Sequence, residues 1–176
     1  MFRTAGHADI DAVVALVESA YRGESGRLGW TTESDFLDGR RTDAELVAEL
    51  LVSHDTSVVL LATVEGVMRA CCHIERHGDS AYFGMFAVDP AWQRGGLGKL
   101  VLAEAERIAR EVWHCRSMQM TAIDLRSELI AWYERRGYRR TGQYKAFPYG
   151  NERFGIPRRD DLRFEWLIKE FSGATS

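Results

Sequence analysis

Apolar positions change period several times along this chain, and each change marks an element. Residues 2–5 read as a short strand, after which Ile10, Val13, Val14, Val17 and Tyr21 fall three and four apart on one helical face. Asp9 and Asp11 stand in that helix's first turn, where its dipole favours negative charge. A second helix carries Leu46, Val47, Leu50 and Leu51 and opens with Thr42-Asp43-Ala44-Glu45, read as a capping box of Thr42 with Glu45. Two strand-like runs, 58–64 and 67–75, flank the turn Glu65-Gly66 and predict a hairpin. Residues 82–88 form a further aromatic and β-branched strand, and Asp89-Pro90 ends it because proline cannot donate to a ladder. Past Gly95, Gly96 and Gly98 the period becomes helical. Leu97, Val101, Ala105, Ile108 and Val112 share one face of a helix predicted to reach Trp113. A strand over 118–123, a helix over 127–136 closed by Gly137 as a left-handed cap, and strands over 138–147 and 162–170 complete the order βααβββαβαββ.

Composition narrows this to one soluble unit. With 176 residues, 45% of them hydrophobic and 28% charged, the chain can bury one well-formed core, and no repeat or low-complexity linker divides it, so residues 1–176 are expected to be a single domain. A net charge of −3 is too mild to suggest nucleic acid or an acidic membrane surface as a partner. The pairs Arg135-Arg136, Arg139-Arg140 and Arg158-Arg159 read as solvated faces. No apolar stretch approaches the roughly 20 residues of a membrane span, and the N-terminus lacks a signal-peptide pattern, so a cytoplasmic protein is expected. Cys71, Cys72 and Cys115 cannot all pair, and the adjacent two would point to opposite faces of a strand, which argues for buried thiols. His73 and His77 stand near them at no structural zinc spacing, so no metal is expected.

The chemistry begins at the glycines. A glycine turn that opens a helix aims several backbone N–H groups at one point, and the helix dipole adds positive character there, so an anion such as a diphosphate is welcome. Arg94 and Lys99 reinforce that field. A Walker A loop would need glycine at Gln93 and Ser or Thr at Leu100, and a dinucleotide fingerprint would need a small residue at Val101, so neither fits. Gln93, Gly96 and Gly98 do meet the pattern Gln/Arg-x-x-Gly-x-Gly/Ala, and with the preceding Phe86-Ala87-Val88-Asp89-Pro90 this stretch resembles the acyl-CoA signature of the GNAT N-acetyltransferase superfamily. The resemblance implies an α/β (α+β) fold with a mixed, mostly antiparallel sheet flanked by helices and a parallel pair at its centre. It implies acetyl-CoA as cosubstrate. Its pantetheine arm would lie along the backbone of Phe86, Ala87 and Val88, and its diphosphate on Gln93, Arg94, Gly95, Gly96, Leu97, Gly98 and Lys99.

A second element, Leu129 to Tyr138, is similar to the family's late helix, whose tyrosine protonates the departing thiolate in many members; here that is Tyr133. The implied reaction is direct attack of an amine on the acetyl carbonyl, with strand N–H groups near Phe86 and Val88 holding the oxyanion if that strand is bulged. Some base must first take a proton from the amine, and Glu33, Glu75 and Asp124 are candidates. The connection over 22–41 is rich in glycine and large functional side chains, as binding loops are, which places Tyr21, Trp30 and Glu33 at the acceptor pocket, with Glu33 drawing the cation or taking its proton. If not there, the pocket is expected at the 147–154 connection. The acceptor is expected to be a small amine. Its identity, the use of other acyl groups and the oligomeric state, a homodimer among the options, are open. The alternative reading is a non-catalytic acyl-CoA-binding or interaction domain, since fold does not fix function.

Overall fold

The computed structural model describes residues 1–22, 36–53 and 55–173. Within them the chain runs β1 (Phe2–Thr4), α1 (Ile10–Tyr21), β2 (Leu37–Asp38), α2 (Ala44–Leu50), β3 (Ser57–Val64), β4 (Val67–His77) and β5 (Ser80–Val88). It continues as α3 (Leu97–Arg107), β6 (Ser117–Ile123), α4 (Ser127–Glu134), β7 (Arg139–Ala146), β8 (Ile156–Pro157) and β9 (Arg163–Glu170). Seven strands form one sheet in the order β1-β3-β4-β5-β6-β9-β7, antiparallel at every junction except β5–β6. The expected mixed sheet is therefore present. The addition is β2 with β8, two residues each, paired in a ladder of their own that is too short to leave a periodic pattern.

Strand alternation sends apolar side chains to both faces, and helices cover each. On one face α3 and α4 lie over Cys72, Ile74, Phe83, Met118, Met120 and Leu167; on the other α1 and α2 lie over Val59, Leu61, Cys71, Met85 and Ala87. The adjacent cysteines thus enter opposite cores as free, buried thiols. Burial pushes the Cys71 thiol up to about 12. A third, small cluster of Leu37, Ile123, Phe147 and Leu162 ties the β2 region to the ends of β6, β7 and β9.

Several local expectations are refined. The Glu65-Gly66 turn has φ of 52° and 77°, the doubly left-handed form that matches strand twist in a two-residue hairpin. The α2 cap is Asp43 and not Thr42: the Asp43 carboxylate accepts from the Leu46 N–H at 2.8 Å. Thr42 is buried, its own N–H held by Glu18. The long helix changes to a π-helical turn over Ile108–Val112, closed by Trp113 N–H to the Ile108 carbonyl at 3.0 Å. That extra residue per turn rotates the stripe, so Ala109 and Trp113 are buried while Val112 is 55% exposed.

The sheet opens at its centre. β5 and β6 pair only over Ser80–Tyr82 and Ser117–Gln119; beyond, β5 follows β4 and β6 follows β9, so a fork separates them. On the β4 side Cys71 lies opposite Ala87 and His73 opposite Gly84, which leaves Met85 and Phe86 facing the single residue Cys72. This is a β-bulge, and Met85 takes the left-handed φ of 46° within it.

Candidate active site

The fork holds a cavity of about 320 Å³ lined by β5, β6, α4, Tyr21 and the residues around Phe147. Gly84 makes room for it. A Cβ there would stand 2.8 Å from the Tyr82 ring, so any other residue would force that ring, which also lines the cavity, to move. Tyr21, at the end of α1, is buried and donates its hydroxyl to the Phe86 carbonyl at the bulge. The Val88 carbonyl accepts from Gln93 Nε2 at 3.0 Å, whereas the next residue, Asp89, donates its N–H back to Arg69 of β4 at 2.7 Å. Because alternate residues of a strand present their polar groups to opposite sides, Val88 faces away from β4 and toward the open side of the fork.

Tyr133 projects from α4 into this cavity and is 5% exposed. Its ring packs edge-on against Trp132, Tyr138 and Phe83, with centroids 5.2, 5.8 and 6.5 Å away, which fixes its orientation. Gly137, with φ of 96°, ends the helix as the expected left-handed cap and lets the chain turn into β7. Burial, and after it the neighbouring Tyr21 phenol, raises the Tyr133 hydroxyl well above its ordinary value, while Arg126 works the other way by favouring the phenolate. No protein group among the described residues hydrogen-bonds that hydroxyl. It is a neutral donor facing a cavity.

The turn after β5 is held from behind. Asp89 caps it by accepting from the Ala91 N–H at 3.0 Å, and its other oxygen takes Arg69 at 2.8 Å, whose guanidinium also lies 5.1 Å from the Trp92 ring centre. Gly96 has φ of 79° and opens α3 with no capping side chain, so the first N–H groups of that helix carry no side-chain acceptor. Around Gly95 and Gly96 a Cβ would meet nothing within 4 Å, and Arg94 and Lys99 stand exposed beside them. Uncapped donors, open space and flanking cations form an anion site.

An acetyltransferase (GNAT) domain model matches residues 55–140, which span the bulged strand, the turn and Tyr133. Over this stretch the chain is similar to the GNAT acetyltransferases. No curated protein sequence matches it. Among solved structures, a protein assigned as a phosphinothricin N-acetyltransferase superposes with a TM-score of 0.71 at 21% identity over 98% of this chain and 99% of that one. The ribosomal-protein-S18-alanine N-acetyltransferase of Escherichia coli gives 0.72 at 15% over 100% and 97%. A protein of Bacillus anthracis str. Ames assigned as a streptothricin acetyltransferase, in complex with acetyl coenzyme A, gives 0.58 at 16% over 71% and 68%. At these identities the likeness establishes the fold. The domain match and the acetyl coenzyme A held by the last of these structures support acyl transfer from acetyl-CoA.

The structure brings Tyr21, Phe86 and Tyr133 to one cavity and sets Gln93 to Lys99 at the end of the strand that borders it. Trp30 and Glu33 lie outside the described residues. Glu75 and Asp124 do not line the cavity: Glu75 stands beside His73 and His77, and Asp124 is paired to Arg163 at 2.6 Å. Phe147 and Pro148 do line it, from the start of the connection named as the second location, beside Ala146 at the end of β7. Sequence reasoning missed Arg41, Arg126 and Lys145. Only the position of Arg126, just before a helix that follows a strand, hinted at a site residue. Among the described residues no group of three or more His, Cys, Asp or Glu is placed to hold a metal, and no helix is long and apolar enough to cross a membrane.

Proposed function

We propose that this chain, acting as one cytoplasmic domain, transfers the acetyl group of acetyl-CoA to the amine of a small acceptor bound in the β5–β6 fork. The observation that carries this is the convergence on β5 of an uncapped helix start, a bulged strand with outward polar groups and a protonated, unengaged Tyr133. In this reading the diphosphate lies on Gly95 to Lys99 and the pantetheine arm runs beside Phe86 to Val88, which puts the thioester in the fork. The neutral amine forms a bond to the acetyl carbon, and the carbonyl electron pair moves to oxygen, where strand N–H groups stabilise it. Removing one such donor commonly raises the barrier by about 3 kcal/mol. Collapse then breaks the C–S bond, and Tyr133 gives its proton to the leaving sulfur and regains one from solvent. The amine's proton goes to a base for which the sequence offers Glu33.

The raised phenol keeps Tyr133 protonated through the physiological range, so activity should show no alkaline limb from this residue below about pH 10. Thiol release from acetyl-CoA, followed with and without small amines, amino acids, polyamines and peptides, tests the function. Amine-dependent release well above hydrolysis is expected. Acetyl-CoA binding with no amine-dependent release would favour the non-catalytic reading.

A further inference from the structure

A second, smaller hollow of about 190 Å³ is lined by His77, Ser80, Ala81, Tyr82, Gln119 and Trp166. The ladder makes it a neighbour of the cavity. Tyr82 stands opposite Gln119 and Thr121 opposite Trp166, and alternate residues of a strand share a face. Gly84, Thr121 and Phe164 of the cavity and Ser80, Gln119 and Trp166 of the hollow therefore occupy the sheet face opposite α3 and α4, two residues apart on each strand. Among the described residues only Tyr82 lines both. Its ring is the wall between them. Its Cε1 lies where a Cβ on Gly84 would come within 2.8 Å, and its hydroxyl reaches Thr121 Oγ1 at 3.4 Å, so the ring crosses from β5 to β6 where their pairing ends. The rings of Trp166 and His77 meet it edge-on, with centroids 6.1 and 6.5 Å away.

The wall stands close to the chemistry. The Tyr82 phenol is among the neighbours that raise the Tyr133 hydroxyl, and both side chains line the same cavity. An acceptor whose amine reaches the thioester beside Tyr133 therefore has the Tyr82 ring as one limit to the rest of its length. Beyond that limit the polar groups are already satisfied: the Ser80 hydroxyl accepts from Ser117 Oγ at 2.9 Å and from Gln119 Nε2 at 2.8 Å. An apolar chain entering the hollow would strip neither of these bonds and would lie against the Trp166 ring. Each methylene that gains such cover is worth about fourfold in affinity.

We propose that Tyr82 sets the depth of the acceptor pocket, closing off the hollow behind it and so excluding longer acceptors. This rests on the transferase reading above and names the residue that limits acceptor size at that site. The test is the specificity constant of straight-chain primary amines from ethylamine to octylamine, which share one amino group and differ only in length. In the parent protein the constant should rise with length and then fall once the chain meets the ring. In Tyr82→Ala the optimum should move at least two carbons longer, and the amines beyond the parent's optimum should gain about tenfold or more relative to ethylamine. Tyr82→Leu should shift it the same way by less, and serves if the alanine variant does not fold. Adding Gln119→Phe to Tyr82→Ala refills the hollow and should return the optimum to the parent's. An optimum at the same length in the parent and both Tyr82 variants, including a uniform loss across the series, would overturn the inference. If no amine releases thiol, the transferase reading fails by itself, and calorimetry of N-ethylacetamide and N-octylacetamide on the CoA-loaded protein decides this one. A preference for the octyl compound about tenfold larger in Tyr82→Ala than in the parent supports the wall; an unchanged preference, or binding of neither, overturns it.

Discussion

Strand β5 serves two regions that are made of different material. At its end, the turn through Gly95 and Gly96 offers main-chain N–H groups, an open approach and a helix dipole, and it is built from consecutive residues. Along its length, the cavity is built from side chains of Tyr21, Arg41, Tyr82, Arg126, Tyr133 and Lys145, which folding gathers from distant parts of the chain. The first region suits a ligand that never changes, since backbone geometry is indifferent to most substitutions around it. The second can be retuned one side chain at a time. That division explains how proteins whose names specify unlike acceptors share this fold at low identity.

Substitutions should separate the two regions. Gly95 has no positive φ and its Cβ would meet nothing, so Gly95→Ala introduces neither strain nor clash within the protein. Acetyl-CoA affinity should nevertheless fall about a hundredfold by calorimetry, the loss of one or two charge-assisted backbone bonds, with the melting temperature unmoved. Gly96 is the poorer probe because its φ of 79° makes any side chain there strained. In the other region, Tyr21→Phe removes the hydroxyl from the Phe86 carbonyl and loosens the bulge. Transfer should slow about tenfold while acetyl-CoA affinity stays within a few-fold. Equal losses of affinity in both variants would erase the distinction.

The smallest kinetic effect concerns the scaffold beneath both. His73 on β4 is buried, its Nε2 2.8 Å from the Ser57 hydroxyl, which itself donates to the Leu50 carbonyl. Burial lowers its value from 6.5 to about 4, against the opposing pull of Glu75. Between those values the unfolded chain binds more protons than the folded one, so stability falls as pH drops from about 6.5 to 4, by at most about 3 kcal/mol. His73→Gln should flatten that limb in urea unfolding and leave turnover at neutral pH unchanged. An unaltered limb would assign the acid sensitivity elsewhere.

How much of this could be read from residues alone follows the same division. The order of the longer elements was legible because each keeps one apolar period for seven residues or more, and the turn because two of its glycines are adjacent. Val112 was placed on the wrong face since a π-turn changes the period without any residue announcing it. The α2 cap moved by one because Thr42 and Asp43 are both competent, and the tie of the Thr42 N–H to Glu18 on α1 decides between them. β2 and β8 were invisible at two residues each. In the cavity, Tyr133 could be found from its helix, whereas Arg41 and Lys145 sit in segments with no local signature and become site residues only when β5 and β6 part.

Transfer by Tyr133→Phe, measured in a single turnover beside acetyl-CoA affinity, tests the assignment of the fork most directly. The substitution removes one hydroxyl that no described protein group engages, so packing and the turn remain intact. The chemical step should slow by about a hundredfold or more, the usual worth of general acid catalysis, with affinity for acetyl-CoA unchanged. A rate within a few-fold of the parent protein would contradict the role of Tyr133 and, with it, the placement of the reaction between β5 and β6.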